Sequence, residues 1–75
     1  MSKLPVLKAR EAIKILRKLG FIETRQKGSH KLFVNEQRKK ITIPVHAGKD
    51  LKPGVVDELM NLSGLSIDEF IRKFR

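Results

Sequence analysis

Two short polar breaks constrain this chain more than any other feature: Lys27-Gly28-Ser29 and Glu36-Gln37-Arg38. They separate three runs that are too brief to be helices. A parallel connection between strands needs a dozen or more residues, so breaks of this length join antiparallel neighbours. The runs are therefore predicted as three strands, over 21–26, 30–35 and 39–45. In the third, Ile41, Ile43 and Val45 alternate onto one face.

Helical patterns flank the three strands. From about Leu7 to Leu19, residues Ala9, Ala12, Ile13, Leu16 and Leu19 recur at helical spacing. Gly20 follows as a left-handed cap. After a loop over 46–52, Pro53 suits the first turn of a second helix, whose buried side would carry Val55, Val56, Leu59, Met60 and Leu62. Ser63-Gly64 breaks it. Ser66 and Glu69 then form a capping box, with Leu65 and Phe70 as a hydrophobic staple. The last helix would bury Ile67, Phe70, Ile71 and Phe74. The expected fold class is α+β: a double-stranded-RNA-binding-like α-β-β-β-α order, a three-stranded antiparallel sheet with helices on one face, and a short extra C-terminal helix. Fold alone does not give function.

The 75 residues contain no cysteine, which excludes disulfides and thiolate metal sites. The expectation is one domain over 1–75 with one modest core. There is no apolar run long enough to span a bilayer and no apolar stretch of the kind a signal peptide carries, so a soluble, cytoplasmic protein is the expectation. The formal charge is +9, and it is uneven. Residues 1–52 hold 14 Lys/Arg against 4 Asp/Glu, whereas residues 53–75 hold 3 against 4. The positive charge thus falls on the first helix and the strand region, which points to a polyanionic partner.

The carboxylates give no sign of a metal site. Glu11, Glu23, Glu36 and Asp50 are scattered, and Asp57, Glu58, Asp68 and Glu69 sit near helix starts, where they favour the macrodipole. That leaves His30 and His46, whose unperturbed side chains titrate near neutral pH. RNA carries its own nucleophile, the 2′-hydroxyl. Its cleavage needs one group to take that proton, one to protonate the leaving 5′-oxygen, and cations for the phosphate. With the second turn centred near Gln37, His30 and His46 fall at the same end of the hairpin. Gly28 and Ser29 lie there too and offer backbone N–H groups to a phosphate. Lys27, Lys31, Lys49 and Lys52 are close in sequence. Against this stand plainer readings: a surface histidine, a turn glycine, four phenylalanines that belong to the core. A non-catalytic binding module for structured RNA would share the fold and need no histidine here. A basic face that meets an acidic protein is the third alternative.

Beyond the residues themselves, an ordered set of segments resembles a known family. The set is Leu16-Arg17-Lys18-Leu19-Gly20-Phe21, then Gly28-Ser29-His30-Lys31-Leu32-Phe33, then Ile43-Pro44-Val45-His46, then Leu51-Lys52-Pro53-Gly54, and last Ser63-Gly64-Leu65-Ser66-Ile67-Asp68-Glu69-Phe70. Each is short, but their order and spacing resemble the HicA (YcfA-like) mRNA interferase toxins of HicA–HicB toxin–antitoxin modules. The resemblance implies a double-stranded-RNA-binding-like fold and metal-independent cleavage of mRNA, without a cofactor. It also implies a HicB-like antitoxin that covers the site, and hence a monomer alone and a hetero-oligomer with its antitoxin. It places the catalytic histidine on His30. A role for His46 in proton transfer, and phosphate contacts from Gly28, Ser29, Lys27, Lys31 and Lys49, rest on the reading of the residues. Ser2 to Val6 form a small N-terminal extension relative to many members.

Overall fold

The computed structural model describes residues 4–74; the N-terminal extension read over Ser2 to Val6 lies partly outside them. The elements run α1 (Ala9–Lys18), β1 (Ile22–Lys27), β2 (His30–Val34), β3 (Lys40–Pro44), α2 (Pro53–Ser63) and α3 (Ile67–Phe74). The strands form one antiparallel sheet in the order β1-β2-β3. This is the α+β order expected from the sequence.

Helix α1 starts where the Glu11 carboxylate accepts the Lys8 backbone N–H at 3.0 Å, and Glu11 sits in the favourable first turn. It ends in a Schellman motif. The Phe21 N–H reaches the Leu16 carbonyl at 2.9 Å and the Gly20 N–H reaches Arg17 at 3.1 Å, with Gly20 at φ +93. The buried stripe is Ala9, Ala12, Ile15 and Leu16, while Ile13 and Leu19 are only half-buried. Ile15 was not part of the expected stripe. It lies 4% exposed in the same core as Leu16, against which Phe74 of α3 also packs, so its burial comes from the tertiary arrangement.

One face of the sheet is dry. Phe33, Ile41 and Ile43 are buried with Phe21, Leu51, Val56, Leu59, Met60 and Phe70. The opposite face carries His30, Leu32 and Val34, which are exposed or half-buried. β1 is exposed throughout, because it is the sheet edge farthest from the helices' main contacts with β3.

The first hairpin differs from its expected form. The three-residue break 27–29 becomes a two-residue turn, Gly28-Ser29, with Lys27 paired to His30. The cause is a bulge between Glu23 and Arg25, where two steps along β1 oppose one along β2. The extra residue reverses the facing of the rest of β1, so Lys27 lands on the same face as His30. Gly28, at φ +58, takes the first central position, as a type II′ turn requires. The second turn holds Arg38 at φ +63, a left-handed conformation that a non-glycine residue adopts rarely. Asn35 closes it by accepting the Lys39 N–H on its side chain at 2.9 Å.

Helix α2 has Pro53 in its first turn and ends at Gly64 with φ +72. Its first turn contains no carboxylate; Asp57 and Glu58 fall one turn later than the sequence suggested. The capping box of α3 is present: the Ser66 N–H donates to Glu69 at 3.0 Å, and the Glu69 N–H donates to the Ser66 hydroxyl at 3.2 Å. Phe70 is buried and stacks at a tilt on Phe74, with centroids 5.1 Å apart. Ile71, expected on the buried face, is instead exposed, rotated a step away from the Phe70–Phe74 side.

Candidate active site

The end of the β2–β3 hairpin, the 46–52 loop and the start of α2 enclose a cavity of about 370 Å³. Its lining includes His30, Pro44, His46, Lys49, Asp50 and Lys52. Register explains the meeting of the histidines. His30 is paired with Pro44, and the Val45 N–H continues the ladder by donating to the Ser29 carbonyl at 2.6 Å. His46 is the next residue, so it leaves the sheet on the same side of the molecule as His30. Both imidazoles are exposed, and neither is hydrogen-bonded to a described residue.

The 46–52 loop is pinned to the start of α1. The Lys8 ammonium meets the Asp50 carboxylate at 2.7 Å and the Gly48 carbonyl at 3.3 Å, and the Leu51 N–H donates to the Leu7 carbonyl at 2.8 Å. Buried Leu51 fastens the loop to the core. These contacts join residues some forty positions apart, and they fix where Lys49 and Lys52 stand.

The electrostatics favour an anion. Asp50 is the one carboxylate on the lining and is already engaged by Lys8. Lys49 and Lys52 have no ion pair with a described residue. Lys52 is also the N-cap of α2 and makes no side-chain cap. The positive end of that helix is therefore uncompensated beside the cavity, an arrangement suited to a phosphate.

The other candidate residues divide into two groups. Lys27 stands across from His30 on the same face of the sheet, and the turn residues Gly28 and Ser29 adjoin it. The Gly28 carbonyl is taken by the Gln26 side chain at 3.1 Å. Lys31 projects to the opposite face, where its ammonium lies 3.6 Å from the Glu23 carboxylate. Pro44, Asp50 and Leu51 line the site without having been candidates for it; Pro44 and Leu51 stood only within the family-like segments, and nothing local marked Asp50. Among the described residues, no three His, Asp or Glu side chains gather in a way that would hold a metal ion. Nor is any helix of these residues long and apolar enough to cross a membrane.

A family model described as the HicA toxin of bacterial toxin–antitoxin matches residues 9–65. The chain belongs to the HicA toxin family. It is thus a toxin of a toxin–antitoxin system, and membership implies a partner antitoxin. The match runs from α1 through α2 and includes both histidines; α3 lies just beyond it. No curated protein matches the chain in a sequence search.

Proposed function

We propose that this HicA-family toxin is a metal-independent endoribonuclease acting on mRNA, with His30 as its catalytic residue and His46 as its partner in proton transfer. The observation that carries the proposal is the shared cavity: two imidazoles and two unpaired lysines line one space beside an uncompensated helix N-terminus. That inventory suits cleavage by internal attack. One imidazole takes the proton of the 2′-hydroxyl, whose oxygen bonds to the adjacent phosphorus. The bond from phosphorus to the 5′-oxygen breaks, and the other imidazole gives that oxygen a proton. The products are a 2′,3′-cyclic phosphate and a free 5′-hydroxyl. The charge developing on the phosphate oxygens falls to Lys49, Lys52 and the first turn of α2. General acid–base catalysis of this kind contributes roughly 10²–10⁴-fold per group.

The rest of the family expectation follows the same cavity. A HicB-like antitoxin would inhibit by covering it, and the positive charge of the first 52 residues gives that antitoxin an electrostatic target. The free toxin would be a monomer in the cytoplasm, its RNA held in part by Lys27 beside His30.

The test is to express the chain alone in bacteria beside His30→Ala and follow growth and mRNA integrity. The wild type is expected to arrest growth and fragment mRNA, and the folded variant to do neither. Equal toxicity of the two, or a harmless but folded wild type, would overturn the proposal.

A further inference from the structure

The 46–49 turn is a ridge between two cavities. On one side is the two-histidine cavity. On the other, the turn and the first residues of α1 enclose a groove of about 320 Å³, within the range of roughly 300–1,000 Å³ in which small-ligand sites fall. His46 and Lys49 line both. The groove has an apolar wall of Ala9, Val45 and Ala47 and a charged rim of Arg10 and Lys49. Neither Arg10 nor Lys49 is ion-paired with a described residue. Lys8 also lines it but is held by Asp50 at 2.7 Å, which braces the groove and leaves Arg10 and Lys49 as its available cations.

We propose that this groove is a nucleotide subsite. It takes the base of the first nucleotide beyond the two joined by the scissile linkage against Ala9, Val45 and Ala47, and that nucleotide's phosphate against Arg10 and Lys49. The inference rests on the ribonuclease reading of the adjoining cavity and deepens it by naming the substrate as a single strand. A phosphate between His30 and His46 is separated from the groove only by a side chain common to both, so a strand leaving the first cavity meets the second. A base enters such a groove only when it is unstacked from its neighbours. In a duplex the bases are stacked and paired, and a protein reads mainly phosphates and 2′-hydroxyls. Three of the four phenylalanines are buried, and the chain has no Tyr or Trp, so an aromatic stacking platform is not what seats a base here. An aliphatic slot with cations at its rim takes that place. A small slot also discriminates among bases by shape, which makes it a determinant of sequence preference.

The experiment separates binding from cleavage. Oligonucleotides of two, three and four residues carry 2′-deoxyribose at every position, so they lack the nucleophile and cannot be cut. They are titrated into labelled protein while the backbone amide signals are followed by NMR. The wild type is expected to gain at least about fivefold in affinity at the length that first fills the groove, the gain that roughly 40 Å² of apolar surface removed from water supplies. That gain is expected together with shifts at the Arg10, Ala47 and Gly48 amides. In Arg10→Ala and in Ala47→Leu, which fills the slot, the gain should fall below about twofold while dinucleotide affinity stays unchanged. Both sites are exposed, and amide spectra report that each variant is folded. The proposal is overturned if the gain persists in both variants, if no gain appears at any length, or if a matched duplex binds as well as the strand. Absence of cleavage of all-ribose RNA by the wild type, with the gain intact, would refute the ribonuclease reading but not the subsite. Cleavage with no dependence on Arg10 or Ala47 would do the reverse.

Discussion

Replacing Gly28 by alanine isolates one physical cost. Gly28 lies at φ +58, and a Cβ built there meets no atom within 4 Å. The added methyl therefore collides with nothing, and the penalty is purely dihedral. Holding an L-residue at such a positive φ, in a turn position that glycine alone fills readily, costs about 1–3 kcal/mol. Part of this is offset, because alanine leaves the unfolded chain less freedom than glycine does, by about 0.4–1 kcal/mol. The net loss is about 1 kcal/mol, and for a domain of this size that lowers Tm by roughly 4–8 °C. Arg38 provides the mirror experiment, since a non-glycine residue already sits at φ +63. By the same arithmetic Arg38→Gly raises Tm by a similar amount. Thermal unfolding followed by circular dichroism reads both, and Arg38→Asn controls for the lost charge. A Gly28→Ala protein as stable as its parent, or an Arg38→Gly protein less stable, would refute the argument that φ governs these turns.

Phe33 is fully buried in the centre of the sheet, so Phe33→Ala is expected to cost about 3–5 kcal/mol and leave the chain largely unfolded at 37 °C; a cooperative melt near the parental Tm would contradict this. The Lys8–Asp50 pair is about half exposed (42% and 53%), so a double-mutant cycle should give a coupling below about 1 kcal/mol, and a larger value would mean the loop depends on this pair for its position. The carboxyl of Glu69 is held below its ordinary value of 4.5, first by the Ser66 backbone N–H and next by the Ser66 hydroxyl, with Arg72 adding to the effect and slight desolvation opposing it. A depressed folded-state pKa stabilises above the unfolded value and is lost as pH falls through the folded one. Glu69→Gln should therefore flatten the acid limb of the stability profile, and an unchanged limb would refute the assignment.

Local chemistry is what made most of the fold legible in the sequence. Gly20, Pro53, Gly64 and the Ser66–Glu69 box announce helix ends through backbone requirements that act within a few residues. The alternation of Ile41 and Ile43 announces the buried face of β3. The two-residue turn was hidden because the bulge between Glu23 and Arg25 is a property of a pairing, not of a segment. Ile15 was missed for a related reason: its burial belongs to the assembled core and not to its own segment. In the candidate site, the shared end of His30 and His46 could be read from the hairpin's length. The Lys8–Asp50 and Leu7–Leu51 contacts that hold the loop could not, because nothing local in either segment refers to the other. The alternation of β2 left open which face meets the helices. The buried side chain of Phe33 settles it, and with it the placement of Lys31 with Glu23 rather than beside His30.

The central claim is that an imidazole at the hairpin end cuts RNA through its own 2′-hydroxyl. The most direct test is a single-turnover reaction of the purified chain with end-labelled single-stranded RNA in the presence of a strong chelator, run beside His30→Ala and with the product ends identified. The account predicts fragments with 2′,3′-cyclic phosphate and 5′-hydroxyl ends, and a rate lowered by about 10²-fold or more in the folded variant. Cleavage that stops with the chelator, fragments with 5′-phosphate ends, or an undiminished rate in His30→Ala would contradict it.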